Sequence, residues 1–361
     1  MSRFWPESRS ALALFAGLAI LSSEDKLLAG GSGAAFVIFA ILLVAIVTVS
    51  VRVARHAEAL AQRIGDPYGT MILTLSAVLI EVVILAIIMS SENSPTLVRD
   101  TIYAAVMLDI NGIIGLSALI GGLKHGEQPY NDDSGRTYSV MIMTAMGLSM
   151  IVPEFVPQAR LHLYSIFTIF AMLTLYALFV RMQVGRHSGF FRYSYALAKQ
   201  QADSDGKRRP PPFVFSIAMI VVGIAIIGFL AEVMSTFLNA GIRATGISPA
   251  LVAIVVAAIS AAPEILTALR AALKNRMQAV INIAMGASLS TVILTVPAME
   301  ALAMYTGQPL LMAMTPLQTV MVALTLIVAA INLNDGETNA IEGMTHFVLF
   351  GAFIILTILA T

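Results

Sequence analysis

The chain contains no cysteine among its 361 residues, and this absence excludes disulfide bonds, thiolate metal sites and thiol nucleophiles. It is also poor in charge, because Asp, Glu, Lys and Arg make up 12% of the residues, about half the share in soluble proteins. Its apolar segments contain no His-Glu-x-x-His motif, no Gly-x-Ser-x-Gly motif and no pair of aspartates, so an intramembrane hydrolase is not expected. The sequence therefore predicts neither an enzyme nor a resident cofactor.

Apolar residues are what the chain has in excess. Hydrophobic residues make up 58% of it, and the mean hydropathy is +0.87. Water cannot solvate a surface of this composition, so the lipid bilayer is the expected surrounding. Basic and acidic residues balance at 21 each, and this balance gives no reason to expect a nucleic-acid partner.

Eleven segments are apolar enough to cross a bilayer as helices, which need about 20 such residues each. The first follows Arg3 and Arg9 as in a signal peptide, but no small-residue cleavage pattern comes after it, so we expect a retained helix. The predicted helices span residues 9–27, 32–53, 69–90, 101–122, 137–156, 162–183, 213–238, 248–273, 279–304, 310–331 and 339–360.

Basic residues are divided unevenly between the loops on the two sides of the predicted membrane. Seventeen of the 21 lie on the side that holds the N-terminus, and the other side has Lys26, Arg99, Arg160 and Arg243. Cytoplasmic loops retain Lys and Arg. We therefore expect a bacterial inner-membrane protein with a cytoplasmic N-terminus and its C-terminus outside.

A predicted cytoplasmic loop at residues 184–212 divides the chain into two halves of five helices. An N-terminal helix at 1–31 precedes the first repeat at 32–183, and the second repeat covers 213–361. Because five is odd, the second half enters the membrane from the opposite side, as in the inverted repeats of many transporters. The expected fold is an all-α polytopic membrane protein of eleven transmembrane helices, with one N-terminal helix before a 5+5 inverted repeat.

Two glutamates, Glu81 and Glu264, lie near the middle of their predicted helices, one in each half. An ionised carboxylate among lipid tails costs at least about 3 kcal/mol, so such residues face an aqueous cavity or a partner. A pair of them can hold protons or a cation, but not both comfortably, and this competition is the chemistry of an antiporter. The alternative is that both glutamates are protonated and hydrogen-bonded for packing alone.

Other polar side chains in the spans could line the same cavity. Ser288 and Ser290 are candidate cation or proton ligands, and their alternative is an ordinary contact between small residues of neighbouring helices. Asn111 is a third candidate of this kind. Secondary candidates for proton or cation binding are Asp109, Glu232 and Ser260.

Several short motifs follow one another along nearly the whole chain. They are Arg63-Ile64-Gly65-Asp66-Pro67 with the run that leads to Glu81, Asn111-Gly112, Glu127-Gln128-Pro129-Tyr130-Asn131, Ala262-Pro263-Glu264, Asn275-Arg276-Met277-Gln278, Thr295-Val296-Pro297 and Gly336-Glu337-Thr338-Asn339. In this order they resemble the Ca²⁺:cation antiporter superfamily, in its Ca²⁺/H⁺ exchanger group and the bacterial ChaA-type branch.

The resemblance implies the eleven-helix fold and a cation site in which Glu81 and Glu264 are the transport carboxylates and ligands of the transported Ca²⁺. This sequence departs from the exchanger pattern at Val78 and Ala261, where exchangers usually carry asparagine. Fewer side-chain oxygens then surround the site, which leaves Na⁺ and K⁺ open as substrates.

The function expected from these observations is secondary active antiport, with Ca²⁺ exported in exchange for H⁺ by alternating access. Small inorganic cations are then the transported partners. A Na⁺(K⁺)/H⁺ antiporter is the first alternative. A passive cation channel and a structural or sensor protein with the same fold are the others.

Overall fold

The computed structural model describes residues 8–64, 68–91, 94–184, 211–245 and 249–359. All but the ends of the predicted loop at 184–212 lie outside these residues, as do the first seven residues with Arg3. The described parts are almost entirely helical, as expected from the composition.

The α-helices of the first half precede residue 185, and those of the second half follow residue 212. The first set is α1 (Ser8–Ser22), α2 (Glu24–Leu28), α3 (Gly31–Ile64), α4 (Tyr68–Ser91), α5 (Leu97–Met107), α6 (Gly115–His125), α7 (Asp132–Met146) and α8 (Leu161–Val184). The second set is α9 (Phe213–Thr245), α10 (Pro249–Ser260), α11 (Ala262–Ala272), α12 (Met277–Ser290), α13 (Val296–Thr306), α14 (Pro316–Asn332) and α15 (Ala340–Leu359).

Three π-helical segments interrupt these helices: π1 (Leu108–Ile114), π2 (Gly147–Ile151) and π3 (Thr291–Thr295). π1 joins α5 to α6, and π3 joins α12 to α13, so each pair forms one long span with an irregular middle. Two short 3₁₀ segments, Val152–Phe155 and Gln158–Arg160, lead from π2 into α8. Single π turns inside helices occur often at functional sites.

Seven helices of the described residues are long and apolar enough to cross a membrane: Gly31–Ala61, Leu97–His125, Asp132–Phe155, Gln158–Met182, Phe213–Gly241, Met277–Thr306 and Ala340–Leu359. α10 and α11 form an eighth candidate, bent by 60° at a short break. Shorter apolar helices at Ser8–Ser22, Thr74–Ser90 and Pro316–Asn332 coincide with the remaining predicted segments. The chain is therefore a membrane protein with many apolar helices, and each predicted segment has a helix in its place.

The largest boundary difference concerns α3, which ends at Ile64 and not at residue 53. The added stretch contains Ala57, Ala59, Leu60 and Ala61, all strong helix formers, so the helix continues where the apolar run ends. Hydropathy marks the apolar part of a helix and not its full length, which explains the short prediction.

The all-α fold has one small addition, since two strands of two residues each pair between the halves. β1 (Gln128–Pro129) runs antiparallel to β2 (Glu337–Thr338), with Gln128 opposite Thr338. The Tyr130 amide extends the pairing by donating to the Gly336 carbonyl at 2.8 Å. Gly336 has a φ of 85°, a left-handed conformation that glycine adopts without strain.

Apolar side chains pack into two clusters. One surrounds the span α5–π1–α6 and the span α12–π3–α13. These two are the most buried of the seven candidate spans, since 78% and 72% of the residues in their apolar stretches are buried. The other joins α3, α4, α9 and α10. α4 contributes Leu85 to the first cluster and Ile84 to the second, so it lies between them.

The two longest helices, α3 and α9, pack against each other as an antiparallel pair. Phe36 near the start of α3 lies against Gly241 near the end of α9, and Val53 lies against Gly223. At the other end, the rings of His56 and Phe215 are 5.7 Å apart. The pair therefore stays in contact along most of its length.

Helices α6 and α15 approach closely because each carries glycine at the crossing. A Cβ atom at Gly115 would lie 2.7 Å from the backbone nitrogen of Phe347, and one at Gly343 would lie 2.8 Å from the Gly115 carbonyl oxygen. Small residues allow such crossings between helices in a bilayer.

We expect Gly115→Leu to destabilise the protein, because the backbones of α6 and α15 would have to separate. Overpacking of this kind costs about 1–3 kcal/mol. The measurement is the Tm of the purified protein in detergent, followed by circular dichroism at 222 nm. Gly351→Ala is the control, since a Cβ at Gly351 meets nothing within 4 Å. Equal melting temperatures for the two variants would contradict the close crossing.

Candidate functional site

Glu81 lies in the middle of α4 and is buried, with 9% of its surface exposed. Its carboxylate accepts hydrogen bonds from two threonines of π3. The hydroxyl of Thr291 lies 3.2 Å from Oε1 and 3.0 Å from Oε2, and the hydroxyl of Thr295 lies 2.8 Å from Oε2. The two threonines are four residues apart on one helical face, which lets both hydroxyls reach the same carboxylate.

Glu264 lies directly after the bend between α10 and α11, in the first turn of α11. Pro263 explains the bend, because proline lacks the N–H that would continue the hydrogen bonds of α10 and clashes with the preceding turn. The positive end of the α11 dipole therefore lies at Glu264. Its Oε2 atom is buried and has no hydrogen-bond partner among the described residues.

A third carboxylate, that of Asp109, lies in π1 with 2% of its surface exposed. Its Oδ2 atom accepts a hydrogen bond of 3.1 Å from the hydroxyl of Ser288 in α12. This bond joins the two central spans of the molecule. Asp109 therefore lies deep in the bundle, and Ser288, which is fully buried, lies there with it.

Asp109, Glu81 and Glu264 are close enough to interact electrostatically with one another. No ion pair of the described residues includes any of the three. Within the described ranges, no three His, Asp or Glu side chains come close enough to form a metal-binding cluster. The region is therefore an acidic centre in which the described residues supply hydroxyl contacts and no ion-pair partner.

Asn111 faces a different neighbourhood from the glutamates. Its amide nitrogen donates to the hydroxyl of Thr325 in α14 at 2.7 Å, and its oxygen accepts from Nδ1 of His346 in α15 at 2.9 Å. Asn111 is fully buried and His346 is 2% exposed. In this conformation the amide therefore ties π1 to α14 and α15.

The other candidates, Ser290, Ser260 and Glu232, form no hydrogen bond with these carboxylates in the part of the chain that the structure describes. The hydroxyl of Ser290 donates to the Ala287 carbonyl, and that of Ser260 donates to the Ala257 carbonyl. Glu232 is exposed on the surface of α9. The structure brings together Glu81, Glu264, Asp109 and Ser288. Among the described residues, the hydroxyls of Ser290 and Ser260 donate elsewhere, and Glu232 is exposed.

Sequence reasoning missed Thr291, Thr295 and Glu300. The spacing of the two threonines, one turn apart in a polar stretch of a predicted span, is a signal that could have found them. Glu300 is buried in α13 and accepts a 2.8 Å hydrogen bond from Thr168 in α8. It lies five residues after Thr295, a separation that rotates it away from the face that meets Glu81.

Comparison with known proteins shows the family to which the chain belongs. Residues 34–185 and 215–359 match the family "Sodium/calcium exchanger protein", and the chain belongs to this family. A sodium-potassium/proton antiporter, ChaA, of Escherichia coli strain K12 is 30% identical over 88% of this chain and 87% of its own length. A Ca²⁺/H⁺ antiporter, also ChaA, of Bacillus subtilis strain 168 is 24% identical over 89% of this chain and 91% of its own.

A solved structure, that of native YfkE, has the same fold with a TM-score of 0.71. It covers 92% of this chain and 98% of its own at 19% identity. The resemblance to the ChaA-type branch of the Ca²⁺:cation antiporters is thereby confirmed. Both of these relatives are antiporters, and the chain belongs to the same family.

We expect His346→Leu to lower the Tm, because the buried oxygen of Asn111 would lose its donor at a cost of about 1–3 kcal/mol. The measurement is thermal unfolding of the purified protein followed by circular dichroism. The control is His162→Leu on the exposed surface of α8. Equal Tm values for His346→Leu and wild type would contradict a structural role for this bond.

Proposed function

We propose that the protein is an inner-membrane cation/proton antiporter that works by alternating access at a site built around Glu81 and Glu264. Ca²⁺ is the first proposed substrate. The observation that carries the proposal is the buried acidic centre, in which three carboxylates lack an ion-pair partner among the described residues.

Charge neutralisation supplies the coupling mechanism. Carboxylates that face the bundle interior cannot stay ionised and unpaired when both entrances are closed, because burial of charge costs several kcal/mol. Protons or a cation can neutralise them, so the protein changes its access only when one or the other is bound. Since each binding mode excludes the other, movement of a cation one way requires movement of protons the other way.

Hard cations prefer the oxygen ligands that this centre offers. Ca²⁺ takes 6–8 oxygens at 2.3–2.6 Å from carboxylates, carbonyls, hydroxyls and water. Glu81 and Glu264 would supply the charge, and Asp109 and Ser288 lie beside them. The bend at Pro263 makes α10 and α11 a discontinuous helix, and in many transporters the unwound carbonyls and half-helix C-terminal ends at such breaks coordinate cations.

Na⁺ or K⁺ in place of Ca²⁺ is the second candidate, and two observations favour it. Val78 and Ala261 flank the glutamates without a side-chain oxygen, and the Escherichia coli relative is a sodium-potassium/proton antiporter. The Bacillus subtilis relative, a Ca²⁺/H⁺ antiporter, supports Ca²⁺.

The membrane arrangement belongs to the same proposal. Eleven spans, with an N-terminal helix before the repeats 32–183 and 213–361, place the N-terminus in the cytoplasm and the C-terminus outside. The uneven distribution of Lys and Arg supports this orientation. The bond between Asp109 of π1 and Ser288 of α12 supports the inverted repeat, since it joins spans that correspond in the two halves.

We expect Glu81→Gln and Glu264→Gln each to abolish cation uptake driven by a pH gradient, because an amide can neither release a proton nor neutralise a cation. The measurement is Ca²⁺, Na⁺ or K⁺ flux into everted membrane vesicles with an acidic lumen. Glu154→Gln is the matched control, since Glu154 is exposed. Full activity in both site variants would refute the proposal, and cation conductance without proton movement would indicate a channel.

We expect Asp109→Asn to reduce exchange about tenfold or more, a change worth about 1.4 kcal/mol or more. The substitution keeps the size of the side chain and its contact with Ser288, but it removes a negative charge next to both glutamates. The same flux assay measures the effect, with Asp25→Asn on the exposed surface of α2 as the control. An unchanged rate and KM would show that Asp109 has only a structural role.

A further inference from the structure

Many of the serine and threonine hydroxyls that the structure describes in helices bond to their own helix. Thr101, Ser139, Thr144 and Ser149 each donate to the carbonyl four residues earlier, at 2.7–2.9 Å. This is the usual habit of serine and threonine inside helices, because the carbonyl is within reach and water is not. A hydroxyl that bonds elsewhere in a membrane span therefore has a specific partner.

Thr291 and Thr295 depart from this habit, since both donate to Glu81 of another helix. A hydroxyl has one hydrogen to donate and two lone pairs to accept with. Because the hydrogen of each threonine is directed to the carboxylate, the lone pairs remain available for a second interaction. Both hydroxyl oxygens belong to buried residues at the acidic centre.

The oxygen atoms of this group have the separations that a coordinated cation requires. Each hydroxyl lies 2.8–3.2 Å from an oxygen of Glu81. Oxygens that share one Ca²⁺ at 2.3–2.6 Å lie about 3 Å apart from their neighbours. A cation could therefore touch a carboxylate oxygen and an adjacent hydroxyl oxygen without rearrangement of the backbone.

We propose that Thr291 and Thr295 are cation ligands, which share the transported ion with Glu81 and help to determine which ion is selected. This inference rests on the proposed antiport function. Two neutral oxygens raise the coordination number without adding charge, whereas Val78, which precedes Glu81 in α4, has no side-chain oxygen to offer. The π3 segment thereby supplies ligands that the glutamate helix lacks.

A positioning role is the rival explanation, in which the threonines only hold the Glu81 side chain in place. The two explanations differ in their kinetics. A lost ligand raises the KM for the cation and changes the preference between cations of different size and charge. Loss of positioning lowers transport of every cation by the same factor.

The first experiment compares Thr291→Val and Thr295→Val with Thr291→Ser and Thr295→Ser in the vesicle flux assay. We expect each valine variant to raise the KM for the preferred cation about tenfold and to change the ratio of KM values between Ca²⁺ and Na⁺. The serine variants retain the hydroxyl and should stay within about threefold of wild type. Thr144→Val is the control, because Thr144 is exposed and bonds to its own helix.

The second experiment uses the absence of cysteine in the chain. Thr295→Cys introduces a single thiol, a soft ligand that prefers Cd²⁺ to Ca²⁺. We expect this variant to bind Cd²⁺ at least about tenfold more tightly than wild type, measured as half-maximal inhibition of flux and as a Cd²⁺-dependent rise in Tm. The Tm measurement applies to purified protein, so it gives an answer even where transport is lost. Thr144→Cys should show no such gain.

The outcomes distinguish failure of the proposed function from failure of the ligand role alone. If wild type moves no cation against a proton gradient, the proposed function fails. If wild type transports and Glu81→Gln does not, but the valine variants keep every KM and the cysteine variant gains no Cd²⁺ affinity, only the ligand role fails. A uniform loss of rate with unchanged KM ratios would also overturn the ligand role and leave the threonines as positioning residues.

Discussion

A carboxylate inside a bilayer must be neutralised, and this constraint governs the arrangement of the whole centre. Glu81 receives two hydroxyl donors, and Asp109 receives one from Ser288. Glu264 is served by the N-terminus of a half-helix, while one of its oxygens has no partner among the described residues. Partial stabilisation of this kind keeps the groups in place without fixing a permanent countercharge, so mobile ions can supply the remainder.

Irregular backbone brings these side chains together. A regular helix bonds every internal amide and carbonyl to itself, and it presents side chains along fixed faces. The break at Pro263 and the π turns of π1 and π3 change these faces at mid-span, and the two most buried spans carry both π segments. The cost of irregularity is tolerable there because surrounding protein, and not lipid, covers the backbone.

The sequence predicted the helices well because apolar length is a local property. Each predicted segment has a helix in its place, with Glu81 in the middle of α4 and Glu264 at the break between α10 and α11. The extension of α3 to Ile64 escaped because a helix can continue through polar residues. The pairing of β1 with β2 joins residues more than 200 positions apart, and no local pattern indicates it.

The candidate site was predictable in its acidic residues and not in its hydroxyls. A glutamate in an apolar run is costly, so Glu81 and Glu264 stand out in the sequence. Burial of a threonine in the same run costs little free energy, because its hydroxyl can bond to its own helix. Only the position of π3 beside α4 gives Thr291 and Thr295 another partner, and the turn of Asn111 towards His346 likewise depends on how α15 packs.

The length of α3 and α9 has a mechanical consequence. With 34 and 33 residues, the two helices are each about 50 Å long at 1.5 Å per residue. A rod of that length magnifies small rotations: pivoting by about 10° about its midpoint displaces each tip by about 4 Å, more than the width of a water molecule. The two helices stay in contact from the Phe36–Gly241 end to the His56–Phe215 end. They would therefore rotate together, and a modest rotation could open the bundle on one side of the membrane while it closes the other.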